Sequence, residues 1–439
     1  MRQQLHWFAL HGFVRHLALV GTWRGDPLGR LIADPAVFAN PRPFCDELHA
    51  QGPLVRVSGG YLAVGHAVAR QILRSKDFRL PWPGSTLPGP LRWLEDRTRP
   101  DLLHPLRPPS LLAVEAPDHT RYRAALAPAF TQKAVAALHN RIAEIASNLL
   151  DRLANEPGPV DLVDEYCWQV PVVVLSDVLG VPDRDQEIIR EFCEVGAPIL
   201  DAGLTWRQYR RVQEATEGIC AWLKGHVRRL MRSPGDDLIS ELILRGRSGS
   251  ADIHLTETEL QAMAGLLLTA GSETTVNLLG SAIQMLLDAP EHVRELRQQP
   301  QLWSHAIQEI LRLEPPVQVI PRVALRDTEV GRTAIRRGAV ILTYVPAVNR
   351  DPSVFDDPHR FDIRRENAMK HLCFASGHHV CLGATLARDE AAIGLRTLFE
   401  RFPEMRVAGT QSRRESRVLR GWAKLPVQLV PAKGLLTAS

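Results

Sequence analysis

The apolar run from Thr256 to Leu287 limits what this chain can become more than any other segment. Thr256 and Glu259 have capping-box spacing, in which the threonine hydroxyl and the glutamate carboxylate satisfy the free amides of a helix start. Pro290 marks the other end, since proline lacks the amide a helix interior needs. At a rise of ~1.5 Å per residue, a helix between these limits crosses a whole domain. Its middle, Leu266–Thr275, reads LLLTAGSETT. Gly271 there costs up to ~1 kcal/mol relative to alanine. Ser272, Glu273, Thr274 and Thr275 put polar groups where burial without partners is expensive. The expectation is a local break in the helix at these residues; a polar stripe facing solvent is the alternative.

The text around this helix is also mostly helical. Ala134–Arg232 carries helical patterning, broken near Pro157-Gly158-Pro159, Pro182 and Pro234-Gly235. Before it, the runs PLVRV and YLAV flank Gly59-Gly60 and predict a tight hairpin. Pro81–Pro109 is dense in proline, which predicts a long shaped loop without regular structure. With 439 residues, 45% of them hydrophobic and 23% charged, the chain can bury a sizeable core. No linker, repeat or low-complexity tract divides it. A net charge of +4 does not mark a nucleic-acid binder. The scattered cysteines Cys45, Cys167, Cys193, Cys220, Cys373 and Cys381 form no C-x-x-C pair, so neither a disulfide framework nor a zinc site is expected. Free thiols in a reducing cytosol fit better.

Residues 1–25 read as an amphipathic extension ahead of a unit spanning 26–439. Leu5–Val20 is interrupted by His6, His11, Arg15 and His16. It is too short and polar for a transmembrane segment of ~20 residues, and it lacks the clean apolar core and cleavage site of a signal peptide. Trp7, Leu10, Val14 and Leu17 have helical spacing and are expected to pack on the body of the protein. Peripheral contact with a membrane surface is the other reading of a basic amphipathic helix.

Phe374–Ala387 reads FASGHHVCLGATLA. Cys381 sits between Gly377 and Gly383, two residues after His379, just before an apolar run that looks like a helix start. The glycines let the backbone approach a flat ligand. A thiolate on haem iron favours O–O cleavage. The pattern F-x-x-G-x-H-x-C-x-G-x-x-L-A resembles the haem-binding signature of the cytochromes P-450. Ala375 departs from it, standing where the family usually has a second glycine. Further segments resemble the same family in its own order. Ala270, Gly271, Glu273 and Thr274 match A-G-x-[DE]-T. Glu309 and Arg312 match E-x-x-R. Arg360 lies in the P-x-R-F segment Pro358–Phe361, and Asn349-Arg350-Asp351-Pro352 lies just upstream.

The resemblance runs from about Asp26 to Val430 and is strongest to soluble actinobacterial, including mycobacterial, members. It implies a mainly α-helical, single-domain fold with small β-sheets. It also implies haem b (iron protoporphyrin IX) as cofactor. Cys381 is then the iron ligand, within a cradle that includes Phe374, Gly377, Gly383, Ala270 and Gly271. His119, Arg123, Arg322 and His379 are implied to meet the two propionates, where charge-assisted hydrogen bonds would neutralise them. Glu273 and Thr274 are implied to handle protons for oxygen activation. Glu309, Arg312 and Arg360 are implied to form a buried structural cluster. Pocket positions carried over from the family are Leu266, Thr269, Val317, Gln318, Val319, Val418 and Leu419. They are mostly apolar, as a lipophilic polyketide, lipid or steroid-like substrate requires. The implied activity is monooxygenation by a cytoplasmic oxidoreductase. The chain has no fused reductase and no glycine-rich nucleotide fingerprint, so electrons would come from a ferredoxin and its NAD(P)H-dependent reductase. A peroxide-driven haem enzyme and a non-catalytic haem sensor are the alternatives. The Glu273–Thr274 pair argues against both.

Overall fold

In the computed structural model, which describes residues 1–248 and 254–430, Glu257–Leu287 is one continuous 31-residue α-helix. Both halves of its capping box form: Thr256 Oγ1 accepts from the Glu259 amide at 3.2 Å, and Glu259 Oε2 accepts from the Thr256 amide at 2.7 Å. The break expected around Gly271 is absent. Thr269, Thr274 and Thr275 instead donate their hydroxyls to the carbonyls of Gly265, Ala270 and Gly271 at 2.8, 2.7 and 2.9 Å. Such back-bonding satisfies the hydroxyls without interrupting the helix. Gly271 answers to packing, since a Cβ there would lie 2.8 Å from Leu175 Cδ1.

The helices packed on this central one include Gln169–Leu179, Gln186–Gly196, Trp206–Arg232, Trp303–Leu313 and Ala384–Arg401. Leu279, Ile283, Leu286, Ile310, Leu395 and Leu398 are fully buried in their shared core. Each such side chain contributes about 1.5–3 kcal/mol, so the packing of these helices outweighs the local cost of one glycine.

Among the described residues, four small sheets accompany the helices. The strands β1 (Leu54–Val57), β2 (Gly60–Ala63), β3 (Phe78–Arg79), β4 (Val160–Asp161), β5 (Val319–Ala324), β6 (Thr328–Val330), β7 (Thr333–Ile335) and β8 (Val340–Tyr344) are joined by four shorter C-terminal strands. The largest sheet runs β1-β2-β8-β5-β3. β1 and β2 form the expected hairpin, with Leu54 opposite Ala63 and Val57 opposite Gly60. β2 pairs parallel to β8, and a Cβ at Gly60 would sit 2.1 Å from the Val340 carbonyl oxygen.

Two expectations need correction. The proline-rich stretch 81–109 contains a ten-residue helix, Gly89–Thr98. Its prolines lie at the edges: Pro88 precedes the helix, Pro90 occupies its first turn, where no amide is needed, and Pro100 follows its end. At the N-terminus, Arg2–Trp7 and Phe13–Trp23 are α-helical and are joined by a π-helical turn, Phe8–Gly12. Trp7 Nε1 donates to the Leu204 carbonyl at 2.8 Å, and His6 Nδ1 lies 2.8 Å from the Tyr209 hydroxyl. Trp7, Leu10 and Val14 turn toward the body, but Leu17 does not and is 52% exposed. A π turn adds a residue and shifts the phase of everything after it. Ala18 is therefore buried where Leu17 was expected.

Candidate active site

The loop carrying Cys381 is held from beneath. Glu309 and Arg312, side by side on Trp303–Leu313, form a fully buried ion pair, with Nε to Oε2 at 2.7 Å. Arg312 also donates to the carbonyls of Asn349 (3.0 Å), Pro358 (2.7 Å) and Arg360 (3.2 Å). The third member is Arg365, whose Nε donates to Glu309 Oε1 at 3.0 Å. Arg360 was expected in that place, but it is exposed and contributes only its backbone carbonyl. The chain turns after Phe361, and five residues beyond Arg360 the guanidinium at 365 comes back over the Glu309 carboxylate. Asn349 extends the support: Oδ1 accepts from the Leu372 amide at 2.9 Å and Nδ2 lies 3.2 Å from Cys373 Sγ.

Above this support the Cys381 amide donates to the Phe374 carbonyl at 2.9 Å, closing the loop. Gly377 has φ +82°, and a Cβ there would come within 2.8 Å of the Leu73 carbonyl oxygen. Ala375 takes φ +59° despite its Cβ, a conformation that costs an alanine about 1–2 kcal/mol. Gly383 caps the helix Ala384–Arg401. The Cys381 side chain is open to a water-sized probe, yet protein encloses it so fully that burial raises its thiol pKa, against hydrogen bonding at Gly383 and the charges of Arg123 and Arg388. Its opening is thus onto an internal cleft.

A cationic group lies beside the loop. His119 and Arg123 come from the helix Asp118–Leu126, Arg322 from β5, and His378 and His379 from the loop itself. The His119 ring is 4.4 Å from that of His379. Arg123 Nη1 donates to the Val380 carbonyl at 2.8 Å. Burial, with the charges of His379, His378 and Arg123, lowers the His119 pKa to about 4. Burial lowers that of Arg322 to about 10, opposed only by Glu115. Among the described residues, neither His119 nor Arg322 has an acidic partner in hydrogen-bond reach, and His119 Nε2 is buried without a partner. Sequence reasoning missed Glu115, whose carboxylate oxygens lie 3.2 Å from His379 Nε2 and 3.1 Å from His378 Nε2. Burial raises the Glu115 pKa, but the two histidines outweigh it and the net shift is downward. The ligand atoms of Glu115, His378 and His379 lie within 4.8 Å of one another, the spacing of a metal-binding group, and their hydrogen bonds account for it. A buried guanidinium short of an anion, beside an unpartnered imidazole nitrogen and Arg123, suits a dianionic ligand. With the inward-opening thiol of Cys381 and the glycine-lined loop, these residues fit the haem b that the motif implies.

On the central helix, Ala270 is exposed and Leu266, Thr269 and Thr274 are half-buried, whereas Leu268, Ser272, Glu273 and Thr275 are buried. Residues 266, 270 and 274 share one helix face, so this face borders an internal cleft. Glu273 points away from it. Its Oε1 is 3.5 Å from Arg414 Nε and accepts from Asn277 Nδ2 at 3.4 Å, and its Oε2 has no partner. Burial raises the Glu273 pKa to about 7, against the charge of Arg414 and the hydrogen bond from Asn277. Arg414 also lies 3.4 Å from Glu194, whose side chain is partly exposed. The structure therefore does not join Glu273 to Thr274 directly. It joins Glu273, through Arg414, to a surface carboxylate. No spacing in the sequence signals Arg414 or Glu194, which arrive from distant segments.

The carried-over pocket positions meet only in part. Val317 pairs with Leu419 in an isolated bridge, and the Gln318 amide donates to the Val418 carbonyl at 2.8 Å. Val319 starts β5 on the same side. A cavity of about 310 Å³ lies elsewhere, and none of Leu266, Thr269, Val317, Gln318, Val319, Val418 and Leu419 lines it. It is walled by the N-terminal helix, the segment 81–107, the segment 199–216 and Pro321, Val340 and Leu342.

Comparison with known proteins agrees with this geometry. Residues 168–416 match the family described as Cytochrome P-450. The chain is 56% identical over 437 residues to a cytochrome P-450 140 of Mycobacterium tuberculosis, covering 100% of both. It is 36% identical over 400 residues to the cytochrome P-450 monooxygenase PikC of Streptomyces venezuelae, covering 88% of this chain and 89% of the relative. Among solved structures, P-450 BioI in complex with an acyl carrier protein carrying hexadec-9Z-enoic acid superposes with a TM-score of 0.82 at 31% identity, over 90% of this chain and 100% of that one. The chain belongs to the cytochrome P-450 family of haem b-dependent monooxygenases.

Proposed function

We propose that residues 26–439 form a catalytic unit that hydroxylates a lipophilic small molecule of polyketide, lipid or steroid-like class. The overall reaction takes a C–H bond, O2, two electrons and two protons to an alcohol and water. The observation that carries this reading is the Cys381 thiol, enclosed by protein yet open to an internal cleft, beside the desolvated Arg322 guanidinium and the unpartnered His119 nitrogen. The electrons are assigned to a ferredoxin with an NAD(P)H-dependent reductase, and the cytoplasm is the proposed compartment. The free state of all six cysteines supports a reducing environment. The acyl chain bound in the BioI structure supports a lipid-like substrate.

When bound, haem b supplies the oxygen chemistry; the chain's residues hold it and move protons. Cys381, as the thiolate, is the iron ligand. Arg123, Arg322, His119 and His379 take the propionates, which relieves the desolvated Arg322 guanidinium and the unpartnered His119 nitrogen. Thr274 presents its hydroxyl from the cleft face and can exchange the Ala270 carbonyl for an oxygen acceptor in the cleft. Burial raises the Glu273 carboxyl pKa to about 7, toward the neutral range in which a group can both take up and release a proton. Its contact with Arg414, which also meets the partly exposed Glu194, ties it to a chain of charged groups that reaches the surface. Apolar Leu266, Val317, Val319, Val418 and Leu419 supply the walls that exclude water.

Cys381→Ser tests the assignment. The variant is expected to lose the thiolate-specific absorbance of the reduced carbon monoxide complex and all ferredoxin-dependent product formation. Retention of that absorbance would overturn the ligand assignment.

A further inference from the structure

The N-terminal helical segment has two apolar faces, and only one of them is covered. Its inner face, with His6, Leu10, His11 and Val14, roofs the cavity of about 310 Å³. Trp7, donating to Leu204, pins it to the segment that forms the far wall. Its outer face carries Leu5 (40% exposed), Phe8 (48%), Leu17 (52%), Leu19 (51%) and Trp23 (86%). The π turn at Phe8–Gly12 is what brings Leu17 round to this side. Packed beside Arg2–Trp7, the helix Gly89–Thr98 adds Trp93, which is 58% exposed and lies under Arg97. Scattered exposed apolar residues are ordinary, but the five on the N-terminal segment share one exposed half of it, with Leu17 and Leu19, about 200° apart, at its edges and His16 between them.

Charge identifies the occupant. Residues 1–25 contain no Asp or Glu, while Arg2, Arg15, His16 and Arg24 are all exposed along them. Arg92 and Arg97 extend the basic field beside Trp93, with Asp96 as the acidic exception. Apolar and tryptophan side chains flanked by arginine suit the interfacial layer of an anionic bilayer, where the apolar groups enter the acyl boundary and the cations meet headgroups. No described helix is long and apolar enough to cross a membrane. We propose that residues 1–23 dock this protein flat on an anionic lipid surface, with Trp93 as a second anchor and the roofed cavity directly behind the contact. If the cavity lies on the path of a lipophilic substrate, that substrate would enter from the bilayer. This last clause rests on the monooxygenase reading; the docking does not.

The test is sedimentation of the haem-loaded full chain with vesicles of phosphatidylcholine alone or mixed with phosphatidylglycerol. The wild type should partition onto the mixed vesicles, and less so in high salt. Phe8→Glu should weaken partitioning at least ~10-fold, because it replaces a membrane-buried apolar group by a charge. Trp23→Glu, at the exposed helix end, should do the same and serves if Phe8→Glu fails to fold. Wild type left in the supernatant at millimolar anionic lipid would overturn the proposal, as would variants that bind equally well. So would a wild-type dimer that Trp23→Glu dissolves, since the outer face would then meet a second copy. The reduced carbon monoxide spectrum is recorded on each sample. Its absence in the wild type would sink the monooxygenase reading and leave the docking result standing.

Discussion

At the scale of the residue, the site separates two groups that adjoin in sequence. Thr274 faces the cleft while Glu273 turns back toward Arg414, Asn277 and the interior. They should therefore fail differently. Thr274→Ala is expected to bind substrate and accept electrons normally but to release most of the consumed reducing power as hydrogen peroxide. Simultaneous measurement of oxygen uptake, peroxide and product checks this, and unchanged coupling would mean that protons reach the cleft by another route. Glu273→Gln is expected to slow turnover by at least ~10²-fold, the usual worth of a proton-transfer group. Because burial raises the Glu273 pKa to about 7, the wild-type pH–rate profile should bend near neutrality, and the bend should be missing in Glu273→Gln. The pair itself was legible in the sequence through its spacing in an apolar helix. Their divergence follows once the helix is unbroken, since adjacent residues point about 100° apart; that Glu273 meets Arg414 was not legible, because Arg414 comes from another part of the chain.

At the scale of the element, the helix Trp303–Leu313 and the loop after Phe361 depend on one buried charge cluster. Arg365→Ala leaves Glu309 paired with Arg312 but removes a charge-assisted hydrogen bond inside the cluster, worth about 1.5–3 kcal/mol. This variant should therefore have a lower thermal midpoint and a lower yield of haem-loaded protein. Arg360→Ala, which removes an exposed side chain and keeps the carbonyl that Arg312 uses, should stay within about 0.5 kcal/mol of wild type. Equal effects of the two substitutions in thermal unfolding would reject this geometry. The cluster was half legible: an i, i+3 pair on one helix reads directly from sequence, whereas its third member depends on how a loop folds back. The same distinction holds at the N-terminus. Periodicity identified an amphipathic helix, but a single π turn changed which leucine faces inward.

At the scale of the whole molecule, the described residues include three buried carboxyls with raised pKa values: Asp201, lifted to about 6, and two glutamates. Burial lifts Glu273 to about 7 and Glu390 to about 8, the latter opposed by the neighbouring Thr275 hydroxyl. In the unfolded chain both titrate near 4.5. Between about pH 4.5 and 8 the folded state binds more protons than the unfolded one, so these groups make stability fall as pH rises. Glu390→Gln keeps the shape and removes its share. The variant's thermal midpoint should gain on wild type steadily from pH 5 to pH 8. A difference that does not change with pH would show that Glu390 is not held protonated in the fold. The sequence alone determined the long capped helix, the hairpin and the cysteine loop, because each rests on caps, turns and spacings within a few residues. Only the tertiary structure decided the helix inside the proline-rich segment, the Glu309–Arg365 contact, the Glu273–Arg414–Glu194 chain and the bare outer face of the N-terminal helix. Those depend on which distant surfaces meet and bury one another, and local sequence patterns do not encode that.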